Sequence, residues 1–345
     1  MRKLLFPFSL IWWLIISIRN FFYDKGWLKS FEFDFPIILV GNIGTGGTGK
    51  TPHIEYLIRM LKQNYKVATL SRGYKRKLKG YALSTELSLV EDIGDEPKQF
   101  KQKFPAIEVA VSENRVNGVY YLLNDEPATQ VILMDDGFQH RRIKPGLQII
   151  LTEYSNLFSD DLILPAGNLR EPQSGKKRAD IIIVSKCPAT ITESEKNNIE
   201  QKLNLRSGQH LFFTTLEFQP IKPLFDDQQK KELLKGDKAV LITGIADATL
   251  LKTYLKNHCE LIRSVSFRDH HYFSIQDIGR MGRESKTIVS TEKDAMRLME
   301  QIEEIHKNGL SVFIVPVSVR FLFNGEITFN HLITTYIKRY QTNNN

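Results

Sequence analysis

The sequence predicts an α/β protein: a parallel sheet flanked by helices, a second and smaller α/β domain, and an N-terminal membrane-associated helix. Three observations predict it. From residue 36 onward, short β-rich runs alternate with amphipathic helical patterns, as in parallel sheets covered on both faces. Between one such run and one such helix lies Gly44-Thr-Gly-Gly-Thr-Gly-Lys-Thr51, a phosphate-loop pattern that makes the sheet P-loop NTPase-type. Near the N-terminus, fifteen uncharged residues separate Arg2-Lys3 from Arg19.

Composition narrows the class. With 42% hydrophobic and 25% charged residues, low-complexity disorder is excluded. At 345 residues two domains are expected. Two cysteines, Cys187 and Cys259, are too few for a disulfide framework and favour a reducing compartment. A net charge of +8 suits anionic substrates or anionic lipid; it calls for no nucleic-acid partner, and the expected assembly is a monomer.

The N-terminal element carries about half that charge, with Arg2, Lys3, Arg19, Lys25 and Lys29 against Asp24 alone. Its apolar run is shorter than the roughly 20 residues an untilted span needs. No small-residue cleavage site follows, which argues against a signal peptide. Trp12-Trp13, Phe21, Phe22, Tyr23 and Trp27 beside basic residues fit a helix in the interface, with a full span as the alternative. The expected location is the cytoplasmic face of a membrane.

Strands are then expected at 36–40, 67–70, 107–111, 131–134, 147–151 and 181–184. The segment after the phosphate loop is helical, because Ile54, Leu57, Ile58 and Leu61 follow the i, i+3, i+4, i+7 rule. A second series, at 210–218, 239–245, 261–267, 287–290 and 312–317, forms the smaller domain. The polar stretch 190–208 is the expected seam. The division is an anchor at 1–30, a phosphate-loop core at 31–190 and an α/β domain at 191–345.

The chemistry starts at the loop. Gly44, Gly46, Gly47 and Gly49, with Thr45 and Thr48, let backbone N–H groups turn around phosphate, and the helix N-terminus adds its positive dipole end. Lys50 reaches the terminal phosphates, the Thr51 hydroxyl is placed for Mg²⁺, and Pro52 suits the first helical turn. The run 131–134 ends in Asp135-Asp136, at the carboxyl edge of the sheet beside the loop. Asp135 is the first metal candidate and Asp136 the second.

Three more strand-end segments are polar. Arg72, Lys75, Arg76, Lys77 and Lys79 form either a solvated loop or a receptor for phosphate or lipid head groups. Asp95 in Gly94-Asp95-Glu96-Pro97 opens a helix and is readable as an N-cap alone. Asp269-His270-His271 is an acid/base candidate or a partial metal site.

Together GNIGTGGTGKTP, SRGY, GDEP, MDDGFQHRR, LPAGNLREP, FRDHHYF and STEKDAMR resemble, in order and over nearly the whole chain, the tetraacyldisaccharide 4′-kinase (lipid A 4′-kinase) family. The resemblance implies ATP-dependent phosphorylation, with Mg²⁺, of the 4′-hydroxyl of an acylated disaccharide 1-phosphate, giving lipid IVA in lipid A biosynthesis at the inner membrane. It implies Asp95 as general base paired with His270, with His271 as the alternative partner. It implies Asp135 and Asp136 as the acidic metal pair with Glu171 and Thr51, and Gln139, His140 and Asn168 as their neighbours. Lys144-Pro145-Gly146 departs from the family's expected basic-acidic pair and leaves that turn's role open.

Two rivals share the loop. A regulatory membrane ATPase would place a lysine at the start of the loop, where this chain has Thr45. A GTPase would carry N-K-x-D, and the nearest segment is Thr291-Glu292-Lys293-Asp294, in which Glu stands for Asn.

Overall fold

The computed structural model describes residues 2–245 and 247–342. Met1, where the expected anchor begins, and the closing Asn343–Asn345 tract lie outside the described residues. In chain order, α1 (Phe6–Asp24) precedes β1 (Ile37–Asn42), α2 (Lys50–Leu61), β2 (Val67–Ser71), β3 (Ala82–Leu83), α3 (Val90–Ile93), α4 (Asp95–Lys103) and β4 (Glu108–Val111). There follow α5 (Arg115–Asp125), β5 (Val131–Asp135), β6 (Leu147–Glu153), β7 (Ile181–Ser185), α6 (Glu193–Leu203), β8 (His210–Phe218) and β9 (Lys222–Pro223). The chain continues through β10 (Lys238–Thr243), α7 (Thr249–Leu255), β11 (Glu260–Ser266), α8 (Ile275–Glu284) and β12 (Thr287–Thr291). It closes with α9 (Glu292–Met299), α10 (Ile302–Lys307), β13 (Ser311–Val315), β14 (Val317–Phe321) and α11 (Gly325–Thr342).

The large sheet has nine strands in the order β14-β8-β7-β6-β1-β5-β2-β4-β3, parallel from β8 to β4 with an antiparallel strand at each edge. Its central strands read as unbroken apolar runs because helices cover both faces. Ile38, Val40 and Leu133 pack against Ile54, Leu57 and Ile58 of α2 on one face, while Leu39, Ile132 and Met134 pack with Val119 and Leu122 of α5 on the other. The small sheet has five strands, β11-β10-β12-β13-β9, parallel except for β9.

The sheets divide the chain differently from the expected boundary at residue 190. The polar stretch 190–208 is a crossover rather than a seam: it contains α6, started by a capping box between Thr192 and Glu195, and returns the chain to β8 of the large sheet. The last segment, β14 and α11, also belongs to the large sheet, so residues 219–316 form an insert between β8 and β14. The pattern 210–218 carries no mark of which sheet it joins; pairing with β7 decides it. In α11, Phe329, Ile333 and Ile337 are buried, and the Tyr336 hydroxyl donates to the Ile37 carbonyl and accepts from the Ile37 N–H.

The small sheet reaches the large one through α9 on α4. Val90, Ala295, Met296 and Ile314 form a buried apolar contact. Beside it Lys103 Nζ bridges Glu55 on α2 and Glu292 on α9, at 2.7 Å each.

Helix α1 stands apart in composition of its surface. Phe6, Phe8, Leu10, Ile11, Trp13, Leu14, Ile15 and Ile18 are exposed, and Ser9 alone is buried. It is long and apolar enough to be a candidate membrane segment.

Candidate active site

The phosphate loop leaves β1 and ends at Gly49, the N-cap of α2, so Lys50 and Thr51 occupy the first helical turn. Lys50 Nζ lies 3.8 Å from Asp136 Oδ1. Asn42 Nδ2 donates to Thr48 Oγ1 at 3.2 Å, and the Ser185 hydroxyl donates to the Thr48 carbonyl at 2.7 Å, so residues from β1 and β7 hold the loop's far limb. His53, one residue beyond Pro52, is buried between the Gly49 carbonyl (2.7 Å) and the Thr214 hydroxyl (3.0 Å). A carbonyl only accepts, so Nδ1 carries the hydrogen and Nε2 accepts from Thr214. Burial lowers its pKa to about 4, which keeps it neutral.

Register places the acidic pair. Asp135, the last residue of β5, pairs with Val40 of β1, one strand away from the loop's exit. Asp135 is fully buried, its Oδ1 lacks a hydrogen-bond partner, and burial together with the charge of Glu96 pushes its carboxyl well above the ordinary value. Asp136 adopts a left-handed backbone with φ 46°, uncommon for a non-glycine residue, which turns the chain sharply at the strand end. Its carboxylate takes Arg170 at 3.2 Å, and burial is outweighed by Lys50 and Arg170, which hold it below the usual carboxylate range.

The Thr51 hydroxyl donates to Glu96 Oε1 at 3.2 Å. An orphaned buried carboxylate oxygen, a first-turn hydroxyl and a second carboxylate are hard oxygen donors that fit Mg²⁺, whose remaining positions in such sites go to water and phosphate. No larger His, Cys, Asp or Glu group suited to a metal occurs among the described residues. Glu171 is otherwise engaged: Gln139 Nε2 donates to Oε1 and Arg178 to Oε2, both at 2.8 Å.

Asp95 is not a cap. Gly94 holds the cap position with φ 92°, ψ 160°, a conformation L side chains rarely adopt, and a Cβ there would meet the Tyr74 carbonyl oxygen at 3.3 Å. Asp95 is therefore inside the first turn, buried, and its Oδ2 accepts from His270 Nδ1 at 2.7 Å, with Arg297 Nε 3.5 Å away. His271 instead meets Asp277 at 3.2 Å, so geometry selects His270. His270 has φ 62°, and its Nε2 lies 3.3 Å from Asp269, whose other oxygen accepts from Lys293 at 2.8 Å.

Burial opposes charge on both partners, and the pairing wins. The hydrogen bond from His270, with Lys293 and Arg297 nearby, holds the Asp95 carboxyl below its ordinary value. Asp269 and Asp95 raise His270 to about 9. A raised histidine adds stability that is complete below its unfolded value near 6.5 and is lost as pH rises through about 9. The stability gap between the native chain and His270→Gln is therefore expected to be widest below about pH 6.5 and to close above about pH 9, measured by urea denaturation across that range. A gap that widens with pH would contradict the charged pair.

Several neighbours went unassigned in the sequence. Arg115 is buried behind Asp135, donating to the carbonyls of Ser112 and Asp135, and burial lowers it to about 10. Its signal was its place just past the end of the strand 107–111. Glu96, Arg170, Lys293 and Arg297 lie inside quoted motifs. The basic run at 72–79 is largely pinned: Arg76 pairs with Glu113, Lys77 with Glu91, and Lys75 reaches the Asp269 carbonyl at 3.3 Å. The GTPase-like Asp294 accepts from the Gly244 N–H and the Thr291 hydroxyl, a cap at the start of α9.

Residues 1–338 match the family described as "LpxK: Tetraacyldisaccharide-1-P 4'-kinase". The chain is 44% identical over 340 residues to a tetraacyldisaccharide 4′-kinase of Flavobacterium johnsoniae, covering 98% of each chain. It is 43% identical to one of Bacteroides thetaiotaomicron, covering 98% of this chain and 93% of the relative. Among solved structures it resembles LpxK from Aquifex aeolicus in complex with ATP, at 30% identity and TM-score 0.74, covering 97% of this chain and 99% of that one.

Proposed function

From the chain's membership of the tetraacyldisaccharide-1-phosphate 4′-kinase family, we infer that it transfers phosphate from ATP to the 4′-hydroxyl of an acylated disaccharide 1-phosphate, a step of lipid A biosynthesis. The carrying observation is the ion-paired Asp95–His270 dyad beside a complete phosphate loop, an arrangement for an acceptor hydroxyl that a pure nucleotide switch has no use for. Transfer of radiolabel from ATP to purified disaccharide 1-phosphate tests it, and nucleotide turnover indifferent to that acceptor would overturn it.

Each residue then has a task. The loop from Gly44 to Gly49 cradles the phosphates, and Lys50 follows the charge on the transferring group. Thr51, Asp135 and Glu96 would hold Mg²⁺, with Asp136 tuning Lys50; the cation, when bound, neutralises charge on the terminal phosphates. Both contacts to Asp95 fall on Oδ2, and we assign Oδ1 to the acceptor hydroxyl. Held ionised, Asp95 orients that hydroxyl and takes its proton late, as a loose phosphoryl transfer requires. His270 stays protonated and acts through Asp95.

Removing the carboxylate tests the cation assignment. Asp135→Asn is expected to raise the Mg²⁺ concentration needed for half-maximal activity about tenfold or more, while keeping the side chain's volume. An unchanged Mg²⁺ titration would take Asp135 out of the cation site.

The acceptor is anionic and acylated. Besides burial, Arg115, Arg72 and Arg19 lower His140 to about 4, a positive field suited to the sugar phosphate. A cavity of about 240 Å³ between α1 and the site has an apolar wall of Trp12, Ile16 and Leu164 and a polar end at Arg170 and Glu171. The exposed apolar side of α1 supports residence at the inner-membrane surface.

A further inference from the structure

Ser9 is the one buried residue of a helix whose other side chains largely face outward. Its hydroxyl donates to the Ile163 carbonyl and accepts from the Ala166 N–H, both at 3.0 Å. That clamps a closed turn: a Cβ at Gly167 would meet the Leu162 carbonyl oxygen at 2.0 Å, so the turn has no slack. One residue on, the Asn168 carbonyl accepts from both the N–H (2.8 Å) and the hydroxyl (3.2 Å) of Thr45 in the phosphate loop. The Arg170 N–H donates to the Ile43 carbonyl at 2.9 Å, a second tie on the same entering limb of the loop. Arg2 donates to the Asn168 side chain at 2.9 Å and to the Gly167 carbonyl at 3.0 Å.

We infer that α1 belongs to the scaffold of the nucleotide site as well as to the membrane contact, the segment 163–171 relaying its docking to the phosphate loop through Ser9 and Arg2. The inference rests on the kinase reading of that loop. The two faces of the helix then have separable duties. The docked face, Ser9 and Arg2, positions Thr45 and its neighbours for the phosphates; the exposed face, including Trp13 and Leu14, meets lipid. Membrane engagement that orders α1 therefore tightens nucleotide binding, and nucleotide that orders the loop steadies the docked helix by the same factor.

Two measurements on the whole chain separate the faces: ADP affinity of the detergent-solubilised protein by calorimetry, and, after detergent removal, sedimentation with vesicles of phosphatidylethanolamine and phosphatidylglycerol. Ser9→Ala and Arg2→Ala are expected to weaken ADP about 3- to 10-fold while still sedimenting. The double variant Trp13→Ala, Leu14→Ala is expected to do the reverse. Arg2 is exposed, so its variant folds even if that of Ser9 does not. A role confined to stability would lower the melting temperature and leave ADP affinity alone. That result, or unchanged ADP affinity in Arg2→Ala together with any folded Ser9 variant, overturns the inference. A native protein that binds no ADP sinks the kinase reading, and the inference with it.

Discussion

Replacing Lys50 with alanine is expected to cut turnover by about 10²–10³-fold, the loss seen when one preorganised group facing transition-state charge is removed. Lys50 stands in the first turn of α2, where the helix dipole already favours phosphate, and its ion pair with Asp136 at 3.8 Å is long. Asp136 keeps Arg170 and Asp135 keeps Arg115 when Lys50 is gone, so neither carboxyl loses its last cation and the melting temperature should move little. The loss should therefore fall on the chemical step. Lys50→Arg should rescue poorly, because a planar fork does not replace a compact ammonium at a phosphate. Near-normal turnover in the alanine variant would remove the loop from the mechanism.

The Asp95 and His270 variants come next in size. Asp95→Ala is expected to lower kcat by about 10²–10⁴-fold with ATP affinity nearly intact, as the proposed role of Asp95 toward the acceptor hydroxyl requires. His270→Ala acts on the same step. Because Asp95 Oδ2 and His270 Nδ1 are 2.7 Å apart and each shifts the other's protonation, the double variant should be scarcely worse than the poorer single one. Fully multiplicative losses would mean two independent groups. Removing either partner leaves the other buried charge with only its weaker contacts, His270 with Asp269 or Asp95 with Arg297, so melting temperature must be read beside kcat. A variant that melts early but turns over normally returns Asp95 to a structural role.

Much of this site was legible in the sequence because its chemistry is local. The phosphate loop needs glycines, a lysine and a threonine within eight positions, flanked by a strand and a helix, and all of that is readable from a window. Asp135 was readable because a carboxylate that ends an apolar run must sit at a sheet edge. The dyad was different. Asp95 and His270 are 175 positions apart, and nothing in either segment says that α9 docks on α4. Only the resemblance joined them. Arg115 was hard to weigh for a related reason: its place after a strand end is visible, but its burial behind Asp135 leaves no periodic trace. The boundary at 190 failed because the stretch 190–208 is polar, and an amphipathic crossover with few apolar positions reads like a linker.

The return of β14 and α11 to the large sheet has a consequence for synthesis. Residues leave the ribosome from the N-terminus, so β1, β5 and the phosphate loop are made long before the helix that covers them. Phe329, Ile333 and Ile337 complete the face already lined by Ile38 and Val40, and they come from α11, which is made after every strand of both sheets. The insert 219–316, by contrast, is contiguous and carries its own apolar cluster around Val240, Ile288 and Val312. The insert therefore holds all the residues of its own core before α11 is made, whereas the large sheet does not. A stop codon placed before α11 would leave the nucleotide-binding half with an open apolar face, a lesion felt far from the missing residues.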